Sequence, residues 1–210
     1  MISTKLGRLA TVSRALIGLT LIALLGACSS GRYPPAPPTV ANMNYRYLIG
    51  SGDTLNIIVW RNPELSQVVT VRPDGRFSTP LVEDVEAVGR NPQDLSRDLE
   101  KALGKYIRDP VVTVIVSNFQ GPFSEQIRIV GEAAKPQSIP YRQNMTVLDV
   151  MIAAGGLTDF ADGNGAVLVR GAEGGKAYGV RLKDLLKRGD ISANVQMAPG
   201  DVVIIPQAWF

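Results

Sequence analysis

Short β-rich apolar runs bounded by turn residues recur along this chain, interrupted by stretches with helical signals. Leu55-Asn56-Ile57-Ile58-Val59-Trp60 is the first β run, and it follows the turn cluster Gly50-Ser51-Gly52-Asp53. Val68 to Val71 is a second. Arg72-Pro73-Asp74-Gly75-Arg76 then carries turn chemistry, with Pro presetting φ and Asp-Gly supplying the reversal. A helix is expected next: Asn91 suits the N-cap, Pro92 the first helical position, and Asp94 the first turn. Leu95, Leu99, Leu103 and Tyr106 recur at near-helical spacing as one apolar stripe, and Arg108-Asp109-Pro110 is the expected stop. Val111 to Val116 is a strong β run directly afterwards. The β–β–α–β order predicts a compact α+β unit.

A second unit repeats the theme. Gln126 to Val130 reads as a strand ending at Gly131-Glu132. Thr146 and Asp149, three residues apart, resemble a capping box for a helix over residues 147–154, which Gly155-Gly156 stops. Ala166 to Arg170 and Tyr178 to Leu182 read as paired strands around the Gly171–Gly175 turn. Asp201 to Ile205 closes the unit between Pro199-Gly200 and Pro206. Short strands with one central helix predict an α+β fold of β-grasp kind. The expected division is residues 45–120 for the first unit, 125–206 for the second, and a short tail over 207–210.

The N-terminus follows a different logic. Lys5, Arg8 and Arg14 precede an apolar stretch of eleven residues, Ala15 to Leu25. That is short of the ~20 residues a spanning helix needs, so a secretory signal peptide over residues 1–27 is favoured over a permanent anchor. Leu25-Gly26-Ala27-Cys28 resembles the lipobox of bacterial lipoproteins, which makes Cys28 the expected lipidation site. Cys28 is also the only cysteine, so no disulfide within the chain is possible. Residues 28–44, with Pro34, Pro35, Pro37 and Pro38, read as a stiff, lipidated tether holding the folded body off a membrane.

Removal of the signal changes the charge argument. The chain carries 22 Lys+Arg and 19 Asp+Glu, and residues 1–27 hold three bases and no acid, leaving 19 of each in the remainder. A neutral body without a basic run gives no reason to expect a nucleic-acid partner. The absence of histidine removes the usual general base near neutral pH and the commonest transition-metal ligand. Glu83, Asp84 and Glu86 cluster beside a turn and read as a solvated loop, not as a glycosidase pair. Residues 159–165 lack the spaced acids and distal Glu of a calcium loop. Gly174-Gly175-Lys176 lacks the frame of a phosphate-binding loop. Gly52-Asp53 and Gly200-Asp201 read as turn punctuation. Tyr45, Tyr47, Trp60 and Trp209 have the chemistry to stack on sugar rings, although packing in a core or interface is the more frequent use of such residues. No enzyme, cofactor or metal site emerges.

Several of these motifs together resemble a known family. Gly50-Ser51-Gly52-Asp53-Thr54-Leu55, Val59-Trp60, Pro63-Glu64-Leu65-Ser66, Val71-Arg72-Pro73-Asp74-Gly75, Pro80-Leu81 and the run from Tyr106 to Val114 are similar to the polysaccharide biosynthesis/export domain. Val130-Gly131-Glu132, Pro136, Thr146-Val147-Leu148-Asp149, Ala154-Gly155-Gly156-Leu157 and Pro199-Gly200-Asp201-Val202-Val203 resemble a soluble-ligand-binding β-grasp (SLBB) domain. The chain thus resembles the outer-membrane polysaccharide export lipoproteins. Gly131 to Gln137 and the ending Ile205 to Phe210 are most similar to the exosortase-associated (XrtA/PEP-CTERM) exopolysaccharide branch.

The resemblance implies a small export-type α/β sandwich followed by a β-grasp domain. It implies a homo-oligomeric ring anchored by lipid at the outer membrane on its periplasmic side, Ser29 rather than Asp following Cys28. The partner would be an exopolysaccharide passing through the ring. Capsule exporters of the family add a C-terminal amphipathic helix that builds the pore, whereas only residues 207–210 follow Pro206 here. A separate outer-membrane β-barrel and an inner-membrane copolymerase are therefore expected as partners. A non-transporting carbohydrate-binding or scaffolding lipoprotein is the alternative.

Overall fold

A computed structural model describes residues 33–39 and 45–209. Cys28, the signal segment and part of the tether lie outside the described residues. The body begins at Pro35. It is an α+β structure containing two hydrophobic cores.

The first core is built on a three-stranded antiparallel sheet. β1 (Thr54–Val59) lies at its centre, between β2 (Gln67–Thr70) and β5 (Val112–Asn118). The pleat sends Leu55, Ile57 and Val59 inward with Val112, Val114 and Val116. α1 (Pro92–Leu103) closes this core, burying Leu95, Leu99 and Leu103. Its start is the one the residues predict. The Asn91 side chain accepts from the Asp94 N–H at 2.9 Å, with Pro92 at the first helical position.

Two features of this unit differ from expectation. The helix ends at Leu103, where the Gly104 N–H bonds the Glu100 carbonyl at 2.9 Å, so Tyr106 falls beyond the stripe and is exposed. Ile107 packs against the core in its place. The segment carrying Glu83, Asp84 and Glu86 is not a loop but a strand. β3 (Arg76–Thr79) and β4 (Val82–Glu86) form an antiparallel hairpin with Phe77 buried opposite Val85. Three acids in five residues hide the β signal, because acidic residues are depleted in strands. The unit therefore runs β–β–β–β–α–β.

The second core lies under a five-stranded sheet of order β7-β6-β10-β8-β9. Its strands are β6 (Ile127–Gly131), β7 (Gln137–Ile139), β8 (Ala166–Arg170), β9 (Lys176–Val180) and β10 (Val202–Ile205). β6 and β10 pair in parallel at the centre, and the other pairs are antiparallel. α2 (Val147–Ala153) and α3 (Leu182–Arg188) contribute Val147, Val150, Met151, Leu182 and Leu185 to the core beside Ile127, Ile129, Leu168, Val203 and Ile205. The expected cap of α2 is present: the Asp149 carboxylate accepts from the Thr146 N–H at 2.8 Å and its hydroxyl at 2.7 Å.

β7 and α3 were not expected from the residue pattern. α3 carries ordinary signals, with leucines at 182, 185 and 186, Lys187 and Arg188 in the last turn, and Gly189 left-handed at φ 69° as its stop. Reading a strand through to Leu182 hid them. The described part of the tether is also packed, not free. Pro35 bridges Gly179 on the β9 edge, the Ala36 N–H bonds the Gly179 carbonyl at 3.2 Å, and the Gln196 N–H bonds the Pro38 carbonyl at 3.0 Å. Proline suits such an edge, since it needs no ladder partner for its nitrogen.

Candidate functional site

Asp53 and Asp201, expected as turn punctuation, are both fully buried. Asp53 fastens the segment between the two cores. Its Oδ1 accepts from the Gln120 N–H at 2.7 Å and the Gly121 N–H at 3.1 Å, and its Oδ2 from the Gly50 N–H at 2.9 Å and the Tyr47 hydroxyl. A Cβ on Gly50 would meet the Gly121 carbonyl at 2.0 Å, so the two backbones touch only because residue 50 is glycine. Tyr45 donates to Glu125 at 3.1 Å and sets its ring edge-on to Tyr141 at 4.9 Å. Burial raises both tyrosine hydroxyls above their usual range, with the facing carboxylates Glu125 and Asp53 adding to the effect. Burial likewise pushes the Glu125 carboxyl up, against the Tyr45 hydrogen bond. Tyr45 and Tyr47 are thus joints of the body, not surfaces for sugar.

Asp201 pairs with Arg170 at 2.8 Å, the two side chains being 0% and 1% exposed. The same Oδ2 accepts from the Ala198 N–H at 2.7 Å, and Arg170 also donates to the Gln196 carbonyl at 2.9 Å. Burial pushes the Asp201 carboxyl up, while the Ala198 N–H and the guanidinium pull it down. Both acids are shut off from solvent. Sequence reasoning missed Arg170 altogether, because an arginine ending a β run carries no local sign of burial.

The remaining acids are structural or solvated. Asp84 and Asp74 share Arg72, at 2.7 and 3.0 Å, on the surface. Asp162 accepts from the Gly165 N–H within its own turn. No group of three or more metal-ligating side chains occurs among the described residues. A shallow groove of about 500 Å³ runs beside α2, lined by Ile139, Arg142, Asn144, Asp149 and Ile152, with Asp149 already committed to the helix cap.

The surface is more telling. On the outward face of the β2-β1-β5 sheet, Asn56 pairs with both Val68 and Ile115, Ile58 pairs with Thr113, and the Trp60 N–H bonds the Val111 carbonyl at 2.9 Å. Strand alternation therefore lays Val68, Ile115, Ile58, Val111 and Trp60 side by side on one face. All five are exposed, Trp60 by 66%. Isolated surface hydrophobics are ordinary, but five on one sheet face, with only Asn56 and Thr113 among them, mark an interaction surface. What the side chains of this face offer a partner is apolar area. Trp209 is exposed as well, next to the Ala208–Phe160 backbone hydrogen bond. Two further exposed aromatics, Phe119 and Phe123, lie on the segment joining the cores. The sequence analysis did not single them out, although the pattern Phe-Gln-Gly-Pro-Phe offers two rings with no helix or strand to bury them.

Residues 41–117 match the family described as polysaccharide biosynthesis/export protein, and residues 125–205 match the SLBB domain. Over these two stretches the chain is similar to the polysaccharide biosynthesis/export family and to SLBB domains. This is an export family, not an enzyme family. Among curated relatives, the EPS I polysaccharide export outer membrane protein EpsA of Ralstonia nicotianae is 26% identical over 188 residues, covering 77% of this chain and 47% of the relative. Its namesake from Ralstonia solanacearum is 28% identical, over 75% of this chain and 47% of the relative. The exopolysaccharide production protein ExoF of Rhizobium meliloti is 28% identical over 53% of this chain and 28% of the relative. The chain spans about half the length of the EpsA relatives it matches.

Proposed function

We propose that this protein is a lipid-anchored component of an exopolysaccharide export conduit, working as a homo-oligomeric ring on the periplasmic side of the outer membrane. In this reading residues 45–120 are the export domain, 125–206 the SLBB domain, and Cys28 the lipidated first residue after signal cleavage. The exposed sheet face of Ile58, Trp60, Val68, Val111 and Ile115 carries the ring proposal. Five exposed apolar side chains on one sheet face are the kind of patch that is functional on monomers, and polar surroundings complete the ~800 Å² each partner buries in a standard interface. The family match and the named relatives support the polysaccharide cargo, and the branch most similar to the ending is the XrtA/PEP-CTERM-associated one.

We assign the crossing of the outer membrane to a separate β-barrel, and the delivery of polymer to an inner-membrane copolymerase, the partners that the resemblance to the exporters implies. The deciding experiment uses the full chain extracted in detergent. Native mass measurement should give a single higher oligomer for the wild type and monomers for Trp60→Arg. Polymer secretion should be lost both in a deletion strain and in one carrying Trp60→Arg. Mass spectrometry should find a diacylglyceryl group and an N-acyl chain on Cys28, because several chains, not one, give stable anchoring. An unchanged secretion level after deletion overturns the export reading. An oligomer indifferent to Trp60→Arg overturns the assignment of the interface.

A further inference from the structure

The outward face of the five-stranded sheet combines a smooth apolar floor with a cation that lacks an anion. Register places Ser138, Arg128, Val202 and Val169 in one row across β7, β6, β10 and β8. The next row on the same face carries Val130, Ile204 and Val167. Val130 and Ile204 are exposed, whereas Val202, Val167 and Val169 are half-buried and flush with the sheet. At one end of this floor the Arg128 guanidinium lies under the Phe123 ring, 5.3 Å from its centroid, and Phe123 is 68% exposed.

Arg128 differs from the structural arginines of this protein. Arg72, Arg90, Arg97, Arg170, Arg181 and Arg188 each hold a carboxylate. Among the described residues Arg128 holds none, and its Nε is buried without a hydrogen-bond partner. That buried Nε, an orphan Arg170 has as well, is shut off from solvent, so an outside ligand would meet the Arg128 Nη groups. The polar neighbours there are engaged with each other: Ser138 donates to Gln126 at 2.7 Å, and Gln126 donates to the Gln120 carbonyl at 3.3 Å. What remains free is a planar fork of donors beside an aromatic ring, above a floor of small aliphatic side chains.

We propose that this face is a contact track for an acidic glycan, with Arg128 taking the carboxylate of a uronate-type residue and Phe123 and the Val130–Ile204 floor meeting the C–H face of its ring. The proposal rests on the export reading given above and adds the chemical class of the cargo. A guanidinium matches a carboxylate with two parallel hydrogen bonds, and an aromatic ring held over the cation fixes its plane. A sheet face of small aliphatic side chains grips a polymer weakly and shares the contact among successive residues, as passage of a polymer requires. A second copy of the chain seated on the face would instead need an apolar partner and a carboxylate brought to Arg128.

The test is fluorescence anisotropy of labelled oligogalacturonate, with labelled malto-oligosaccharide as the neutral probe, against the full-length lipoprotein in detergent. Wild type should bind the uronate probe about tenfold better than the neutral one, the size expected for one charge-assisted contact. Arg128→Gln should bring uronate binding down to the neutral level and Arg128→Lys should restore part of it. Phe123→Leu should weaken uronate binding with the charge intact, and the exposed, distant Asp84→Asn should change nothing. Thermal melts establish that each variant is folded, and Arg128→Lys and Phe123→Leu carry the test if Arg128→Gln is not. Equal affinity for both probes, no uronate binding at millimolar protein, or full uronate binding by Arg128→Gln overturns the proposal. So does a change of oligomer mass in Arg128→Gln with sugar binding intact, which would identify the face as a subunit contact. In cells the two readings separate. Unchanged secretion after deletion removes the export reading, whereas lost secretion fully restored by Arg128→Gln removes only the glycan track.

Discussion

Replacing Asp201 by Ala tests whether the buried pair with Arg170 is a fastener, because the variant leaves a guanidinium in the core without its anion. Both side chains are essentially excluded from solvent. The substitution takes the acceptor away from two donors, the Arg170 guanidinium at 2.8 Å and the Ala198 N–H at 2.7 Å, and leaves Arg170 only the Gln196 carbonyl at 2.9 Å. Orphaning one member of a buried pair costs about 3–5 kcal/mol. A native domain holds roughly 5–15 kcal/mol in all, so this single change removes about a fifth or more of it. With a urea m-value of about 2 kcal/mol/M, the transition followed by far-UV circular dichroism should move down by about 2 M without a change in slope. Removing both charges together, as Arg170→Met with Asp201→Leu, should recover most of the loss, since two desolvated charges are exchanged for packed apolar volume. A loss below ~1 kcal/mol for Asp201→Ala, or a double variant less stable than the single one, refutes the reasoning.

Asp53→Ala takes the acceptor from the Gly50 and Gln120 N–H groups and the Tyr47 hydroxyl proton, leaving the Gly121 N–H only the Tyr47 oxygen at 3.0 Å, and we expect a loss of about 3 kcal/mol together with faster proteolysis near Gly121. A melt and a cleavage pattern unchanged from wild type would show that the joint does not depend on this carboxylate. Asp149→Ala removes the helix cap of α2, at about 1 kcal/mol at neutral pH. The Thr146 hydroxyl and N–H hold the Asp149 carboxyl below its usual value, so its contribution is present above about pH 4 and is lost as pH falls through the depressed value. Urea titrations at pH 7 and at pH 3 check this: the gap between wild type and Asp149→Ala should narrow on acidification, and a gap that widens contradicts it.

What the sequence determined by itself is what depends on neighbours along the chain. The Asn91 and Thr146 caps, the proline at the start of α1, the turn at residues 72–76 and the β run of Leu55 to Val59 rest on contacts within about four residues. Each is therefore legible from residue type and spacing. The family resemblance was legible for a related reason, since its motifs are largely these turns and strand ends. The β3–β4 hairpin was not, because Phe77 and Val85 identify a strand only once they face each other across it. Nor was the role of the buried acids. Asp53 meets Gln120 and Gly121, 67 and 68 positions away, and Asp201 meets Arg170, 31 positions away, so nothing near either acid announces its partner. The candidate surfaces depend on the same physics. That Ile58 and Trp60 join Val68, Val111 and Ile115 on one face, or that Arg128 lies beside Val202, follows from strand register, and register is set by which distant strands pair. Local chemistry chose the elements; burial and pairing between remote segments decided which side chains became fasteners and which were left facing outward for a partner.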